Sequence, residues 1–222
     1  MISKLKKIIP SYCLLPLIVA VVFTNLAYFI PKFFYDPGDV YDLSLGIDKT
    51  IPFLPIFILF YVLAYLQWIV GFVMIARASG EELYKLTATD MLAKSICCII
   101  FIALPTIIVR PEITEGGFLN GLTSLIYAAD TPAINLFPSI HCLESWAVFR
   151  CAIKLKLPIG YKIALGLFSL GVFASVLFVK QHFIIDIPAG ILVFELAYFI
   201  VNRTKLDEKL AKLLTKTKKP SC

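Results

Sequence analysis

The stretch IPFLPIFILFYVLAYLQWIVGFVMIA, residues 51–76, carries no charged side chain along its whole length. About 20 consecutive apolar residues are enough for a helix to cross the hydrocarbon core of a bilayer. This stretch therefore predicts a transmembrane helix. Further apolar segments predict the same kind of element at residues 8–30, 92–109, 138–154, 162–180 and 183–201.

The composition of the whole chain also indicates a membrane protein. Hydrophobic residues make up 59% of the 222 residues and charged residues 16%, whereas soluble domains have roughly 45–50% and about 25%. We therefore predict an all-α fold, a polytopic membrane bundle of six transmembrane helices. No linker or internal repeat divides the chain, so residues 1–222 are treated as one membrane-embedded domain.

The fourth apolar segment, residues 138–154, gives the weakest signal because it is short and contains Glu144 and Arg150. Polar residues at membrane depth usually face the interior of a bundle or a cavity. Glu144 either influences the protonation of His141 or pairs with Arg150, and the sequence does not distinguish these two possibilities.

The 21 Lys and Arg residues predict the orientation of the chain. Most of them precede the first segment, follow the sixth, or lie between segments two and three, including Lys94, or between segments four and five. Cytoplasmic loops are rich in Lys and Arg, so we expect both termini in the cytoplasm. The residues on the opposite side are Lys32, Lys49, Arg110 and Lys180.

The remaining features of composition exclude some functions and leave others open. The net charge of +6 is spread in small clusters, which does not favour a nucleic-acid partner, and the cysteines lack the spacing of metal ligands. The basic cytoplasmic tail, residues 202–222, is either an amphipathic helix on anionic lipid headgroups or a solvated segment. The protein is expected in the cell membrane, although the charge pattern does not determine which membrane.

The two histidines, His141 and His182, both fall at predicted non-cytoplasmic ends of segments. A histidine in a membrane protein is often only a structural hydrogen-bonding residue, so its neighbours decide its interpretation. Pro138 suits the first turn of a helix and leaves free backbone N–H groups, which bind phosphate. Ser139 adds a hydroxyl donor, and His141 could protonate a leaving oxygen.

His182 precedes Asp186 by four residues, a spacing that brings a carboxylate beside an imidazole on one helical face. That contact would fix the tautomer and leave the second ring nitrogen free as a nucleophile, although Asp186 could instead anchor a neighbouring helix. Arg110 and Lys180 are predicted on the same side and could hold phosphate oxygens. Snorkelling to the membrane interface is the other interpretation of both cations.

Taken in order, these residues resemble the type-2 phosphatidic acid phosphatase superfamily, whose motifs are Lys-x6-Arg-Pro, Pro-Ser-x-His and Ser-Arg-x5-His-x3-Asp. The resemblance covers roughly residues 103–190. The matching positions are Arg110-Pro111, Pro138-Ser139-Ile140-His141, Ser175, His182 and Asp186.

Two positions depart from the motifs of the superfamily. Ala103 stands where the first motif has its lysine, and Val176 stands where the third has its arginine, so two phosphate-binding cations are missing. Whether Lys180 replaces one of them is open. The run Lys180-Gln181-His182-Phe183 resembles the branch that contains inositol phosphorylceramide synthase, which leaves substrate and acceptor open.

The resemblance implies catalysis without a metal ion or another cofactor, on the non-cytoplasmic face of the membrane. By position, His182 would attack phosphorus and form a phosphohistidine, Asp186 would orient its ring, and His141 would protonate the leaving alcohol. The implied phosphate-binding residues are Arg110, Ser139, Lys180 and Ser175.

Three functions are compatible with these motifs. The first is a phosphatase that hydrolyses a lipid phosphate or lipid diphosphate. The second is a phosphotransferase that moves a phospho-headgroup to a lipid or sugar alcohol. The third is a non-catalytic transporter or scaffold with a decayed site, for which Ala103 and Val176 argue. The identity of the lipid and the oligomeric state are open.

Overall fold

The computed structural model describes residues 9–216, and over that range the regular secondary structure is helical apart from two isolated β-bridges. The α-helices of this part of the chain are α1 (Leu14–Phe29), α2 (Ile58–Ala78), α3 (Gly80–Ala103), α4 (Phe118–Ala129), α5 (Ile140–Ala152), α6 (Ile159–Phe178), α7 (Asp186–Thr204) and α8 (Leu206–Lys216). Three short 3₁₀ helices, Pro31–Phe34, Gly46–Thr50 and Pro55–Phe57, lie between α1 and α2. The predicted cytoplasmic lysines Lys4, Lys6, Lys7, Lys218 and Lys219 lie outside the described residues.

Five described helices, α1, α2, α3, α6 and α7, are long and apolar enough to cross a membrane. The all-α prediction is therefore confirmed, and several helices have the length and apolar composition that a membrane-spanning helix needs. The fourth predicted segment forms α5, which has 13 residues and a length of about 20 Å at 1.5 Å per residue. Helix α5 packs against α2, α3, α6 and α7 in the middle of the bundle.

The predicted bounds of the third segment, residues 92–109, were wrong. Helix α3 begins at Gly80, with only Ser79 between it and α2, and the Ser79 hydroxyl caps it by accepting a hydrogen bond from Glu82 N at 3.1 Å. Lys94 therefore lies within α3 and not in a cytoplasmic connection. Charged residues in the first half of the helix lower its average hydropathy, which hid its beginning in the sequence.

Lys94 is fully buried because two carboxylates neutralise it inside the bundle. Its Nζ lies 2.8 Å from Asp90 Oδ2, contacts Glu144 Oε1 of α5, and donates to Ala20 O of α1 at 3.2 Å. Neither sequence-based alternative for Glu144 predicted this partner. Arg150 pairs with Glu195 of α7 instead, at 3.0 Å.

The basic tail is helical as far as the structure describes it. Helix α8 follows Lys205, whose φ of 55° ends α7 in the left-handed conformation. Asp207 is buried and lies 4.0 Å from Lys85 of α3, so α8 is held against the bundle. Leu213 on α8 is exposed.

Candidate active site

The beginnings of α5 and α7 meet at one end of the bundle, and this contact brings the two histidines together. Ser139 N donates to Asp186 O at 3.1 Å. Gly190 allows this approach, because a Cβ atom there would lie only 2.5 Å from Ser139 O. The ring centroids of His141 and His182 are consequently 6.3 Å apart.

His182 and Asp186 form the pair that their spacing predicts, although His182 lies in the turn before α7 and not on a helix. His182 Nδ1 is 3.1 Å from Asp186 Oδ2 and 2.9 Å from Leu136 O. Because both neighbours of Nδ1 are hydrogen-bond acceptors, the neutral imidazole carries its proton on Nδ1 and its free lone pair on Nε2. Asp186 Oδ2 also accepts from Phe183 N at 2.9 Å, which fixes the carboxylate.

Aromatic rings hold His141 in place. Its imidazole stacks on Tyr61 with a centroid distance of 4.1 Å and an interplanar angle of 22°. Trp68 and Tyr65 lie at 5.3 and 5.6 Å. His141 Nε2 is buried and has no hydrogen-bond partner among the described residues, so it is available to a ligand.

A cavity of about 310 Å³ connects the two histidines. Apolar and aromatic side chains form most of its wall, and its polar lining includes Asp130, Asn135 and Gln181. Such a cavity can hold a polar group next to His141 and His182 while an apolar substituent lies against the aromatic wall.

Arg110 lies at the same end of the bundle, but its guanidinium is already engaged. It pairs with the Asp130 carboxylate, donates to Asp130 O at 3.0 Å and to Gln181 Oε1 at 2.6 Å, and lies 4.7 Å from the Tyr127 ring centroid. Tyr28 donates to Asp130 Oδ1 at 2.6 Å. Asp130 therefore neutralises the main cation that the motifs assign to phosphate.

The two predicted serines make hydrogen bonds within their own segments. Ser139 is the N-cap of α5, so Pro138 lies just before the helix, and its Oγ accepts from Cys142 N at 3.3 Å. Ser175 Oγ donates to Val172 O at 2.7 Å. Both side chains are buried, and neither lines the cavity that connects the histidines.

Lys180 points towards the loop that follows α1 rather than towards the cavity between the histidines. Its backbone is left-handed, with a φ of 51°, and its Nζ donates to Asp48 O and Ile51 O. Burial lowers the pKa of the Lys180 ammonium. Lys180 and His182 both line a second cavity, of about 560 Å³, on the side of Asp48 and Lys49.

Asp48 joins this loop to the turn that carries His182. Its two carboxylate oxygens accept from Ile184 N at 2.8 Å and from Leu45 N at 2.7 Å. Sequence reasoning missed Asp48, Asp130 and the aromatic residues around His141. Gln181 was noted only as part of a run, and its position directly before His182 was the available signal; no comparable signal marks Asp48 or Asp130.

No protein-family model matches the chain, and no curated protein and no solved structure matches it either.

Proposed function

We propose that the protein is a membrane-embedded, metal-independent phosphatase that hydrolyses a lipid phosphate or lipid diphosphate through a phosphohistidine. The observation that carries this proposal is that His182, oriented by Asp186, lies across one cavity from His141, whose Nε2 has no hydrogen-bond partner within residues 9–216. A nucleophile and an acid on two sides of one phosphate group are what such a displacement needs.

In the first step, His182 Nε2 attacks phosphorus and the bond from phosphorus to the leaving oxygen breaks. With the anionic phosphate bound beside it, His141 takes up a proton and gives it to that oxygen, so a lipid phosphate leaves as an alcohol and a lipid diphosphate leaves as a lipid phosphate. Asp186 stabilises the positive charge that develops on the His182 ring. In the second step, His141 takes a proton from water, the hydroxyl oxygen bonds to phosphorus, and His182 is released with inorganic phosphate.

We further propose that α5 is a sixth crossing and that the termini are cytoplasmic. His141 at the beginning of α5 lies near His182, whereas Arg150 and Lys154 at its other end contact Glu195 and Tyr198 of α7. Helix α5 therefore runs along α7 in the same direction. With α5 counted, the histidine cavity lies on the non-cytoplasmic face that the charge pattern predicts.

The test is release of inorganic phosphate from a panel of lipid phosphates by detergent-purified protein, with EDTA present. Wild type should release phosphate, and His182→Ala should reduce release to background because no nucleophile remains. Gln67→Met is a control. Gln67 is buried like the site residues, but its Nε2 donates to Ser169 Oγ at 2.8 Å, and it does not line the cavity of the histidines. Release by His182→Ala at the wild-type rate would exclude the mechanism, whereas no release by wild type from any lipid phosphate would fit a non-catalytic protein.

A second candidate function is transfer of a phospho-headgroup to a lipid or sugar alcohol. The observation that favours it is that His182 lines two cavities, and that Asp42, Ser44 and Lys180 lie among the lining residues of the second. An acceptor hydroxyl could approach from that second side. A transferase would produce little without added alcohol, whereas the proposed phosphatase needs only water.

A further inference from the structure

We infer that Gln181 binds phosphate directly, with its side-chain N–H donating to a non-bridging oxygen while its carbonyl oxygen orients Arg110. This inference rests on the proposed function, because it takes a phosphate group as the ligand of the histidine cavity. It adds a neutral residue to a site that the sequence motifs describe only by cations and hydroxyls.

The orientation of the Gln181 amide follows from its neighbour. Arginine has only donors, so the atom of Gln181 that lies 2.6 Å from Arg110 Nη2 is the carbonyl oxygen Oε1. The amide nitrogen Nε2 must then point away from Arg110. Gln181 is 2% exposed, and Nε2 is buried without a hydrogen-bond partner in the described part of the chain.

The position of Gln181 indicates where the missing partner of this nitrogen would bind. Gln181 lines the cavity together with His141 and His182, and it immediately precedes His182 in the chain. Buried polar groups nearly always have a partner, so an unpartnered, buried N–H donor on a residue that lines a cavity indicates an acceptor there. His141 lines the same cavity, and its Nε2 likewise has no hydrogen-bond partner among residues 9–216.

The charges around the site explain why a neutral donor is useful. Ala103 and Val176 provide no cation, Asp130 neutralises Arg110, and the Lys180 ammonium is held by Asp48 O and Ile51 O. An amide N–H attracts no carboxylate of its own, so it stays available to the substrate. Preorganised donors of this kind stabilise the charge on phosphate oxygens in the transition state.

The experiment measures equilibrium binding of inorganic phosphate and of orthovanadate to wild type, Gln181→Met and Gln181→Glu. Gln181→Met removes the donor, and a hydrogen bond to a charged group supports a loss of about 10- to 100-fold in affinity. Gln181→Glu keeps an acceptor for Arg110 but places negative charge beside the phosphate, so it should bind more weakly still. Gln67→Met is the matched control and should bind as wild type does.

The order of affinities decides between binding and mere orientation of Arg110. If Gln181 only orients Arg110, the carboxylate of Gln181→Glu would hold the guanidinium at least as well, and this variant would bind phosphate more tightly than Gln181→Met. That order would overturn the inference. It would also be overturned if Gln181→Met bound phosphate with the affinity of wild type, or if wild type bound no phosphate. If wild type binds phosphate and the affinities follow the expected order, but no lipid phosphate is hydrolysed, only the proposed function would be excluded.

Discussion

At the level of single residues, His141 is held by three aromatic rings, and its Nε2 bonds no group in the described part of the chain. We expect His141→Ala to lower the rate on an alkyl phosphate by about 10²–10⁴, the usual contribution of a positioned acid. The loss should be much smaller on an aryl phosphate, since an acidic phenol leaves without protonation. Steady-state kinetics on both esters test this role.

The comparison with His182 provides the control for this prediction. His182→Ala should lose activity on both esters, because the nucleophile is needed whatever the leaving group. Equal losses on the alkyl and aryl esters in His141→Ala would show that His141 does not act as the acid.

At the level of helices, the contact between α5 and α7 sets the distance between the histidines. We expect Gly190→Ala to lower both thermal stability and phosphate release, because its Cβ would lie 2.5 Å from Ser139 O and 3.3 Å from Leu143 N. Overpacking of this kind typically costs about 1–3 kcal/mol. The control is Gly160→Ala, where a Cβ meets nothing within 4 Å. A Gly190→Ala variant with wild-type stability and activity would contradict this packing.

The pairing of α3 with α5 depends on Lys94. Lys94→Met would leave the carboxylates of Asp90 and Glu144 buried without a cation, and breaking a buried ion pair costs about 3–5 kcal/mol. We expect a large decrease in the unfolding temperature in detergent. Combining Lys94→Met with Asp90→Asn and Glu144→Gln should restore most of the lost unfolding temperature. If the triple variant is no more stable than Lys94→Met, unpaired buried charge is not the cause of the destabilisation.

At the level of the whole molecule, the six crossings that we propose would place Gly116 and α8 on opposite sides of the membrane. In a background without Cys98 and Cys222, a membrane-impermeant maleimide should label Gly116→Cys in intact cells but label Lys209→Cys only after the cells are opened. Both positions are exposed. Labelling of both from outside would rule out the proposed crossing of α5.

The sequence alone is enough to predict the long apolar helices and the local contact between His182 and Asp186. Both follow from short-range properties: an apolar run of sufficient length, and four residues of chain that bring an imidazole and a carboxylate within 3.1 Å. The beginning of α3 at Gly80 could not be predicted in this way, because the charged residues of its first half lower the average hydropathy of the segment. Nor does the sequence show that a further charge of this helix, Lys94, is neutralised by Glu144 of another helix.

Only the tertiary structure shows which partners the polar residues of the site have. Arg110 pairs with Asp130, which lies 20 positions further along the chain, and with Gln181, which lies 71 positions away. Ser139 caps its own helix, and Lys180 bonds the loop after α1. These pairings depend on how the helices pack. Packing brings residues that are distant in the chain close together in space, and buried charges and donors are stable only when such a partner lies within bonding distance.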